Sequence, residues 1–166
     1  MSVTVDAFRA ATSARASAIA IVATLDGEGR PVGLAAALVL PVSNDPPQLM
    51  VALNRSSQTC APLLASGAFT VNLLADHHEA LCRRFASPDD RDARFADPVW
   101  TTLETGMPVL EDALAAFDCR LAERSRSGTH LLVTGTVLAL RMADQPGTPL
   151  VQYLGRYRHL TPLAGA

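Results

Sequence analysis

The 166-residue chain contains no lysine, so all 14 of its basic residues are arginines. P-loop NTPases, protein kinases and enzymes that form Schiff bases each require a lysine at the reaction centre. The absence of lysine therefore excludes these classes.

Cysteines and long apolar runs are also scarce. Cys60, Cys82 and Cys119 are an odd number, lie far apart and form no C-x-x-C pair. This pattern argues against a disulfide scaffold or a zinc site and favours a reducing compartment, so we expect a cytoplasmic protein. No apolar run approaches the roughly 18 residues that a membrane-spanning helix needs. We therefore expect no membrane association.

The chain has no large excess of charge of either sign: 14 basic and 16 acidic residues give a net charge of −2. The arginines and acids are interspersed and form no basic footprint, so we expect no nucleic-acid partner. Hydrophobic residues make up 49% of the chain, which is high for a small domain. Because monomers rarely expose large apolar patches, this surplus predicts a subunit interface.

The apolar pattern predicts one domain over residues 1–166 that is mainly β with short helices. Helices are predicted over residues 3–14, 58–67 and 77–85. Strands are predicted over residues 18–25, 32–40, 49–53, 68–74, 114–122 and 131–141, with short segments at 99–103, 150–153 and 157–160. Six to eight strands, mostly linked by hairpins, favour a closed or split antiparallel β-barrel with Greek-key-like order, since closure removes exposed strand edges.

The polar turn Asn54-Arg55-Ser56-Ser57 lies between a predicted buried strand and a predicted helix start. An arginine, two hydroxyls and free helix amides can bind a phosphate group. The same residues also suit an ordinary helix cap with a solvated arginine. Both interpretations stay open at the level of these residues.

Side chains for proton transfer, acyl transfer or metal binding are few. His77 and His78 are adjacent and are predicted to be surface residues, because no carboxylate partner completes a ligand set; we expect no metal site. His130 follows a small-residue turn at a predicted barrel rim, where a functional and a structural role are equally plausible. The carboxylate pair Glu111-Asp112 is predicted to lie in an exposed loop. This composition favours a bound cofactor that supplies the reactivity.

A series of short motifs in chain order resembles the short-chain flavin reductases, a family of FMN-binding split-barrel proteins that supply reduced flavin to monooxygenases. The resemblance covers almost the whole chain. Its marks are Phe8-Arg9, Val42-Ser43-Asn44-Asp45-Pro46-Pro47, Asn54-Arg55-Ser56-Ser57, Phe69-Thr70-Val71-Asn72-Leu73, Arg94-Phe95, Trp100, Gly106-Met107-Pro108, Cys119, Gly128-Thr129-His130 and residues 149–157.

The resemblance implies a homodimeric enzyme that transfers a hydride from NADH or NADPH to FMN or FAD, with a flavin-dependent monooxygenase as a partner. It implies that main-chain groups of one segment hold the isoalloxazine ring, that the polar turn holds the phosphate and that His130 lies near the nicotinamide. The flavin-binding residues it implies are Ala35, Ala36, Ala37, Leu38, Asn54, Arg55, Ser56, Ser57, His130 and Tyr157.

Two departures from the family pattern bear on this assignment. The family usually carries threonine and serine hydroxyls where this chain has Ala35, Ala37 and Leu38, and aspartate where it has Thr129. Each lost hydrogen bond is worth about 0.5–1.5 kcal/mol. We therefore expect flavin to be a released substrate or the flavin preference to be altered. Two other interpretations remain: a non-catalytic flavin carrier or sensor, and a split barrel that has lost flavin and binds another ligand.

Overall fold

The computed structural model describes residues 2–87, 91, 93–145 and 147–161. The helices are α1 (Val5–Ser13), α2 (Cys60–Ser66) and α3 (Glu79–Ala86), the last preceded by a 3₁₀ turn, Asp76–His78. The first strands are β1 (Ser17–Ala18), β2 (Ala20–Leu25), β3 (Pro31–Ala36), β4 (Val39–Asn44), β5 (Pro47–Asn54) and β6 (Ala68–Leu73). The later strands are β7 (Trp100–Thr101), β8 (Val109–Leu110), β9 (Ala115–Ser127), β10 (His130–Met142), β11 (Val151–Tyr153) and β12 (Arg156–Arg158).

Seven antiparallel strands form the main sheet, in the order β3-β2-β6-β9-β10-β5-β4. Two smaller sheets accompany it: β1-β11-β12 and the pair β7-β8. The predicted β-rich class with short helices is therefore confirmed. The expected six to eight strands match the main sheet, whereas the described residues contain twelve strands in all because several connections form two- or three-residue strands.

The predicted single strand over residues 32–40 is wrong, because the chain breaks after Ala36 and resumes at Val39. β3 pairs with β2, whereas β4 pairs with β5. These partners lie toward opposite ends of the sheet order, so residues 37 and 38 must cross from one edge to the other. Apolar periodicity cannot show this change of partner, since both halves are equally apolar.

The strands β9 and β10 form one long ribbon that turns at Gly128 and Thr129. The prediction ended these strands at residue 122 and began the next at 131, because arginine and serine replace apolar residues in between. The ladder continues through those polar residues, pairing Arg126 with Leu131 and Ser127 with His130. Gly128 adopts φ +55°, the left-handed conformation that a tight turn requires.

The core consists of two clusters on the two sides of the sheet. One packs buried residues of the barrel strands, including Val22, Phe69 and Val133, against α2. The other packs Leu81 and Phe85 of α3 onto the opposite face of β2. The alternating burial along β5 follows from its period of two, with one face turned toward the first cluster.

Helix α1 packs differently from the other two, because none of its residues is buried. Thr4 caps it by accepting a hydrogen bond from the Ala7 amide at 3.2 Å. Val5 and Phe8 are 65% and 61% exposed. Among the described residues, no helix is both long and apolar enough to cross a membrane.

Candidate functional site: a groove at the strand crossing

A groove with a volume of about 670 Å³ lies beside the crossing between β3 and β4. It falls within the size range of small-molecule and cofactor sites. Its lining combines the crossing segment, the end of β5, the end of α3 and the tip of the β9–β10 ribbon. The lining residues are Arg15, Leu34, Ala35, Ala36, Ala37, Leu38, Ala52, Asn54, Ser57, Phe85, Ala86, Ser127, His130 and Leu132.

Residues 37 and 38 of the crossing segment both line this groove. The Ala37 carbonyl accepts a 3.4 Å hydrogen bond from Nη2 of Arg15, and the Leu38 carbonyl accepts one of 3.3 Å from the Ala52 amide. Within the described chain, neither Ala37 N–H nor Leu38 N–H has a main-chain partner. Unpaired amides carry a desolvation cost unless water or a ligand accepts from them. The segment is thus suited to hydrogen-bonding a ligand without hydroxyl side chains.

Gly33 allows α3 to form one wall of the groove. A Cβ atom at this position would lie 2.8 Å from the Val22 carbonyl oxygen and 3.0 Å from Cε1 of Phe85. Such contacts are too close for a real Cβ atom, so a larger residue would push the helix away from β3. The glycine therefore keeps Phe85 and Ala86 against the groove.

The Asn54–Ser57 turn ends β5 at the groove. Asn54 Oδ1 accepts hydrogen bonds from the Ser56 amide at 3.0 Å and from the Ser56 hydroxyl at 2.9 Å, which folds the turn on itself. The Ser57 hydroxyl is buried and has no hydrogen-bond partner among the described residues. Ser57 belongs to the groove lining, so its unpaired hydroxyl is a candidate donor to a ligand.

Three residues of the predicted flavin set do not line this groove. Arg55 lines a different cavity, with its Nη1 3.4 Å from the Gly128 carbonyl oxygen. The Ser56 hydroxyl is engaged by Asn54. Tyr157 lies at the second core cluster with its hydroxyl 3.2 Å from Cys82 Sγ. Burial and the hydrogen bond with Cys82 raise the pKa of Tyr157 to about 12.

The remaining predicted residues lie together. The four consecutive residues 35–38, Asn54, Ser57 and His130 all line the groove. His130 pairs in register with Asn54 of β5 and with Ser127 of β9, so the three side chains share one face of the sheet. Thr129 Oγ1 lies 2.9 Å from Nδ1 of His130.

Seven residues of the lining were not predicted from the sequence. These are Arg15, Leu34, Ala52, Phe85, Ala86, Ser127 and Leu132. Ser127 could have been found by extending the hairpin register from His130 across a two-residue turn. No comparable signal marks Arg15 or α3, since their positions depend on tertiary packing.

The predictions for His77 and His78 were wrong in part, because a carboxylate does join them. Asp112 places Oδ1 3.0 Å from Nε2 of His78 and Oδ2 3.3 Å from Nε2 of His77. His78 is only 4% exposed, whereas His77 lies at the surface. The contact joins segments far apart in sequence, which composition cannot reveal.

The three side chains could hold a cation by distance, since their ligand atoms all lie within 4.8 Å of one another. However, Nδ1 of His78 accepts a 3.0 Å hydrogen bond from the Ala75 amide. A neutral ring must then carry its proton on Nε2, which lies 3.0 Å from Asp112 Oδ1 and has no lone pair for a metal. His78 therefore caps the 3₁₀ turn through Nδ1.

Two of the three cysteines are poor candidate nucleophiles. All three are free and buried. Burial raises the pKa of Cys119 to about 12 and raises that of Cys82 above its usual value. Thiolate chemistry at neutral pH is therefore disfavoured at Cys82 and Cys119.

A second cavity of about 680 Å³ lies near Gly33, Thr59 and Arg94. Arg94 is engaged, because its two terminal nitrogens donate to the Gly33 and Ser87 carbonyl oxygens at 2.9 and 2.6 Å. The groove is the better candidate for a flavin ring, because it gathers seven of the residues predicted to bind flavin, whereas none of them lines this cavity.

The chain is similar to known proteins over nearly its full length. Residues 12–161 match the family model described as a flavin reductase like domain. An FMN reductase (NADH) RutF 2 from Methylorubrum extorquens is 41% identical over 96% of this chain and 91% of its own length. The FMN reductase (NADH) RutF of Agrobacterium fabrum is 40% identical over 89% of this chain and 84% of its own length.

Solved structures show the same fold. The styrene monooxygenase flavin reductase from Pseudomonas putida S12 superimposes with a TM-score of 0.85 at 28% identity, covering 94% of this chain and 97% of that one. The expected split-barrel fold is thereby confirmed. With a family model that spans most of its length and relatives near 40% identity, this chain belongs to the flavin reductase family.

Proposed function

We propose that this protein is an NADH-dependent flavin reductase that transfers a hydride to FMN and passes the reduced flavin to a partner monooxygenase. The proposal agrees with the activity named for its relatives, which are FMN reductases (NADH). A structural neighbour is the flavin reductase of a styrene monooxygenase, which supports the role of supplying an oxygenase.

The observation that carries the proposal is the set of unpaired donors around the groove. The Ala37 and Leu38 amides and the buried Ser57 hydroxyl lack protein partners in the described chain. A flavin offers acceptors of matching kinds, namely the carbonyl and ring-nitrogen atoms of isoalloxazine and the oxygens of a phosphate. The residues present therefore fit an FMN, even though the side-chain hydroxyls of the family pattern are absent.

Five residues of the groove take part in flavin or nicotinamide binding in this proposal. The amides of residues 37 and 38 hold the ring and favour the negative charge that a reduced flavin gathers. Ser57 donates to the phosphate, and Asn54 keeps the turn folded behind it. His130 orients the nicotinamide at the rim. Bound flavin supplies the hydride acceptor, so no side-chain acid or base is required.

The exposed apolar surface supports a homodimer. Val5 and Phe8 of α1 and Leu140 and Met142 at the end of β10 are all more than half exposed. An apolar cavity of about 440 Å³ near Val39 adds to this surface. Sedimentation equilibrium at micromolar concentration tests the proposal, and a monomer across the accessible range would contradict it.

The activity is tested by following NADH absorbance with purified protein and added FMN. We expect steady-state NADH oxidation that depends on both FMN and protein concentration, with slower oxidation when NADPH replaces NADH. A flavin carrier would bind FMN and quench its fluorescence without consuming NADH. A protein that neither quenches FMN fluorescence nor oxidises NADH would contradict the proposal.

A further inference from the structure

A cavity of about 440 Å³ lies at the barrel end next to the groove and is lined by three arginines. Its complete lining is Arg55, Cys60, Ala61, Leu64, Arg124, Arg126 and Leu131, which includes no acidic residue. We call it the arginine cavity. This concentration of positive charge contrasts with the net charge of −2 for the whole chain.

The three guanidinium groups are not neutralised by neighbouring carboxylates. Among the described residues, none of these arginines forms an ion pair within 4.0 Å. Arg55 makes one long hydrogen bond, to the Gly128 carbonyl oxygen at 3.4 Å. Three cations gathered around one concavity repel one another, so an anion bound among them would lower their mutual energy.

The geometry suits a ligand that carries two phosphate groups. Arg124 and Arg126 are two residues apart on β9, which places their Cα atoms roughly 6.5 Å apart on one face of the strand. Arg55 approaches from the turn after β5. Guanidinium groups bind phosphate oxygens through pairs of N–H donors. A pyrophosphate offers two phosphate groups to the three guanidinium groups, whereas a single phosphate offers one.

The arginine cavity and the flavin groove lie on opposite faces of the same ribbon. Arg126 lines the cavity, whereas the next residue, Ser127, lines the groove. In the turn after β5, Arg55 likewise lines the arginine cavity and Asn54 lines the groove. The tip of the ribbon at Gly128 is the place where a ligand would have to pass from one cavity to the other.

We propose that the arginine cavity binds the pyrophosphate of a dinucleotide whose reactive ring lies in the groove. The inference rests on the proposed function and adds a second recognition site to it. NADH and FAD both contain a pyrophosphate, whereas FMN contains a single phosphate. The cavity would thus distinguish dinucleotides from FMN.

The first experiment measures inorganic pyrophosphate binding by isothermal titration calorimetry. It compares the wild type with the double variant Arg124→Gln/Arg126→Gln. Arg120→Gln is the matched control, because Arg120 is an exposed arginine on the same strand that does not line the cavity. We expect the double variant to raise the Kd for pyrophosphate at least tenfold and the control to change it less than twofold. No binding to the wild type, or equal binding to the double variant, would overturn the proposal.

The second experiment identifies the source of the pyrophosphate. We expect the double variant to raise either the KM for NADH or the Kd for FAD at least tenfold, while the Kd for FMN changes less than threefold. A higher KM identifies NADH as the ligand, and a higher Kd for FAD identifies the flavin dinucleotide. Equal weakening of FMN would overturn the proposal, because the cavity would then hold the flavin monophosphate.

These experiments separate the inference from the proposed activity. If the wild type failed to oxidise NADH, the proposed function would fail, while pyrophosphate and FAD titrations would still test the arginine cavity. If NADH oxidation were normal and the double variant bound every dinucleotide as the wild type does, only the inference would fail.

Discussion

The hydroxyl oxygen of Thr129 lies 2.9 Å from Nδ1 of His130, at the tip of the ribbon that borders the groove. A threonine hydroxyl can both donate and accept, so it supports either neutral tautomer of the ring, whereas a carboxylate only accepts. The pair therefore holds the imidazole in place without adding negative charge beside the proposed nicotinamide site.

Replacing His130 by alanine should weaken the nicotinamide contact. We expect His130→Ala to raise the KM for NADH at least tenfold, and Thr129→Val to raise it about two- to tenfold, the value of one neutral hydrogen bond. Steady-state kinetics with FMN held saturating separate KM from kcat. A KM for NADH within twofold of the wild type in His130→Ala would remove this residue from the site.

The two serines of the turn after β5 should differ in their effect on flavin binding. Ser57→Ala removes the unpartnered hydroxyl in the groove and should raise the Kd for FMN about tenfold or more, since hydrogen bonds to charged groups contribute about 1.5–3 kcal/mol. Ser56→Ala should have a smaller effect, because that hydroxyl is engaged by Asn54. Fluorescence titration measures both, and the reverse order would place the phosphate at Ser56.

Restoring a hydroxyl at the strand crossing should tighten flavin binding. The Ala37→Ser variant adds one donor at the groove, and we expect the Kd for FMN to fall about two- to tenfold. Ala65→Ser, at an exposed position of α2 that lines neither the groove nor the arginine cavity, is the control. An unchanged or higher Kd in Ala37→Ser would mean that the new hydroxyl does not reach the flavin.

Gly135 should be intolerant of a side chain. A Cβ atom there would lie 2.5 Å from Cζ of Phe69 and 2.8 Å from Cβ of Cys119. Overpacking of this kind costs about 1–3 kcal/mol, so Gly135→Ala should lower the free energy of unfolding by that amount in urea denaturation. Gly27 has nothing within 4 Å of its hypothetical Cβ, and Gly27→Ala should change stability by less than about 0.5 kcal/mol.

The buried His78 should make stability depend on pH. Burial lowers its pKa, although the hydrogen bond to Asp112 opposes this shift. The unfolded chain takes up a proton near pH 6.5, while the folded ring resists it because Nδ1 accepts from the Ala75 amide. The stabilisation is therefore present above about pH 6.5 and is lost as the pH falls toward the lowered pKa of the folded state.

Urea denaturation at pH 7.5 and 5.5 measures this effect. We expect the loss of stability between the two values to be smaller in His78→Asn than in the wild type. The surface variant His77→Asn should keep a pH dependence close to that of the wild type, since His77 is 60% exposed. An equal loss in the wild type and His78→Asn would show that His78 is not the titrating group.

The sequence predicted the elements that are determined by neighbouring residues. The apolar run of β5 predicted a strand, and the polar residues from Asn54 predicted the turn that follows it. Gly67, which adopts φ +67°, marked the end of helix α2. The break at Ala37 did not follow, because it arises from a change of pairing partner. The extent of the ribbon beyond residue 122 was also missed, since its exposed end carries arginines in place of apolar residues.

The candidate site likewise contains residues that the sequence predicted and residues whose positions it could not predict. The main-chain segment from Ala35 to Leu38 and His130 were marked by order along the chain, and the structure brings them into one groove. The direction of the Arg55 side chain could not be predicted, because it depends on which face of the strand end a residue occupies. The face that each residue occupies also separates Ser56, whose hydroxyl bonds to Asn54, from Ser57, which lines the groove.

Successive side chains of the β9–β10 ribbon point to opposite faces, so the position of a residue in the sequence decides which of the two cavities it lines. Arg126 and Ser127 are neighbours in sequence yet line different cavities. A one-residue insertion or deletion within this stretch would reverse the facing of every later side chain up to the turn. Homologues with an altered spacing between Arg124 and Gly128 should consequently have exchanged their charged and neutral surfaces, and with them their choice of nucleotide.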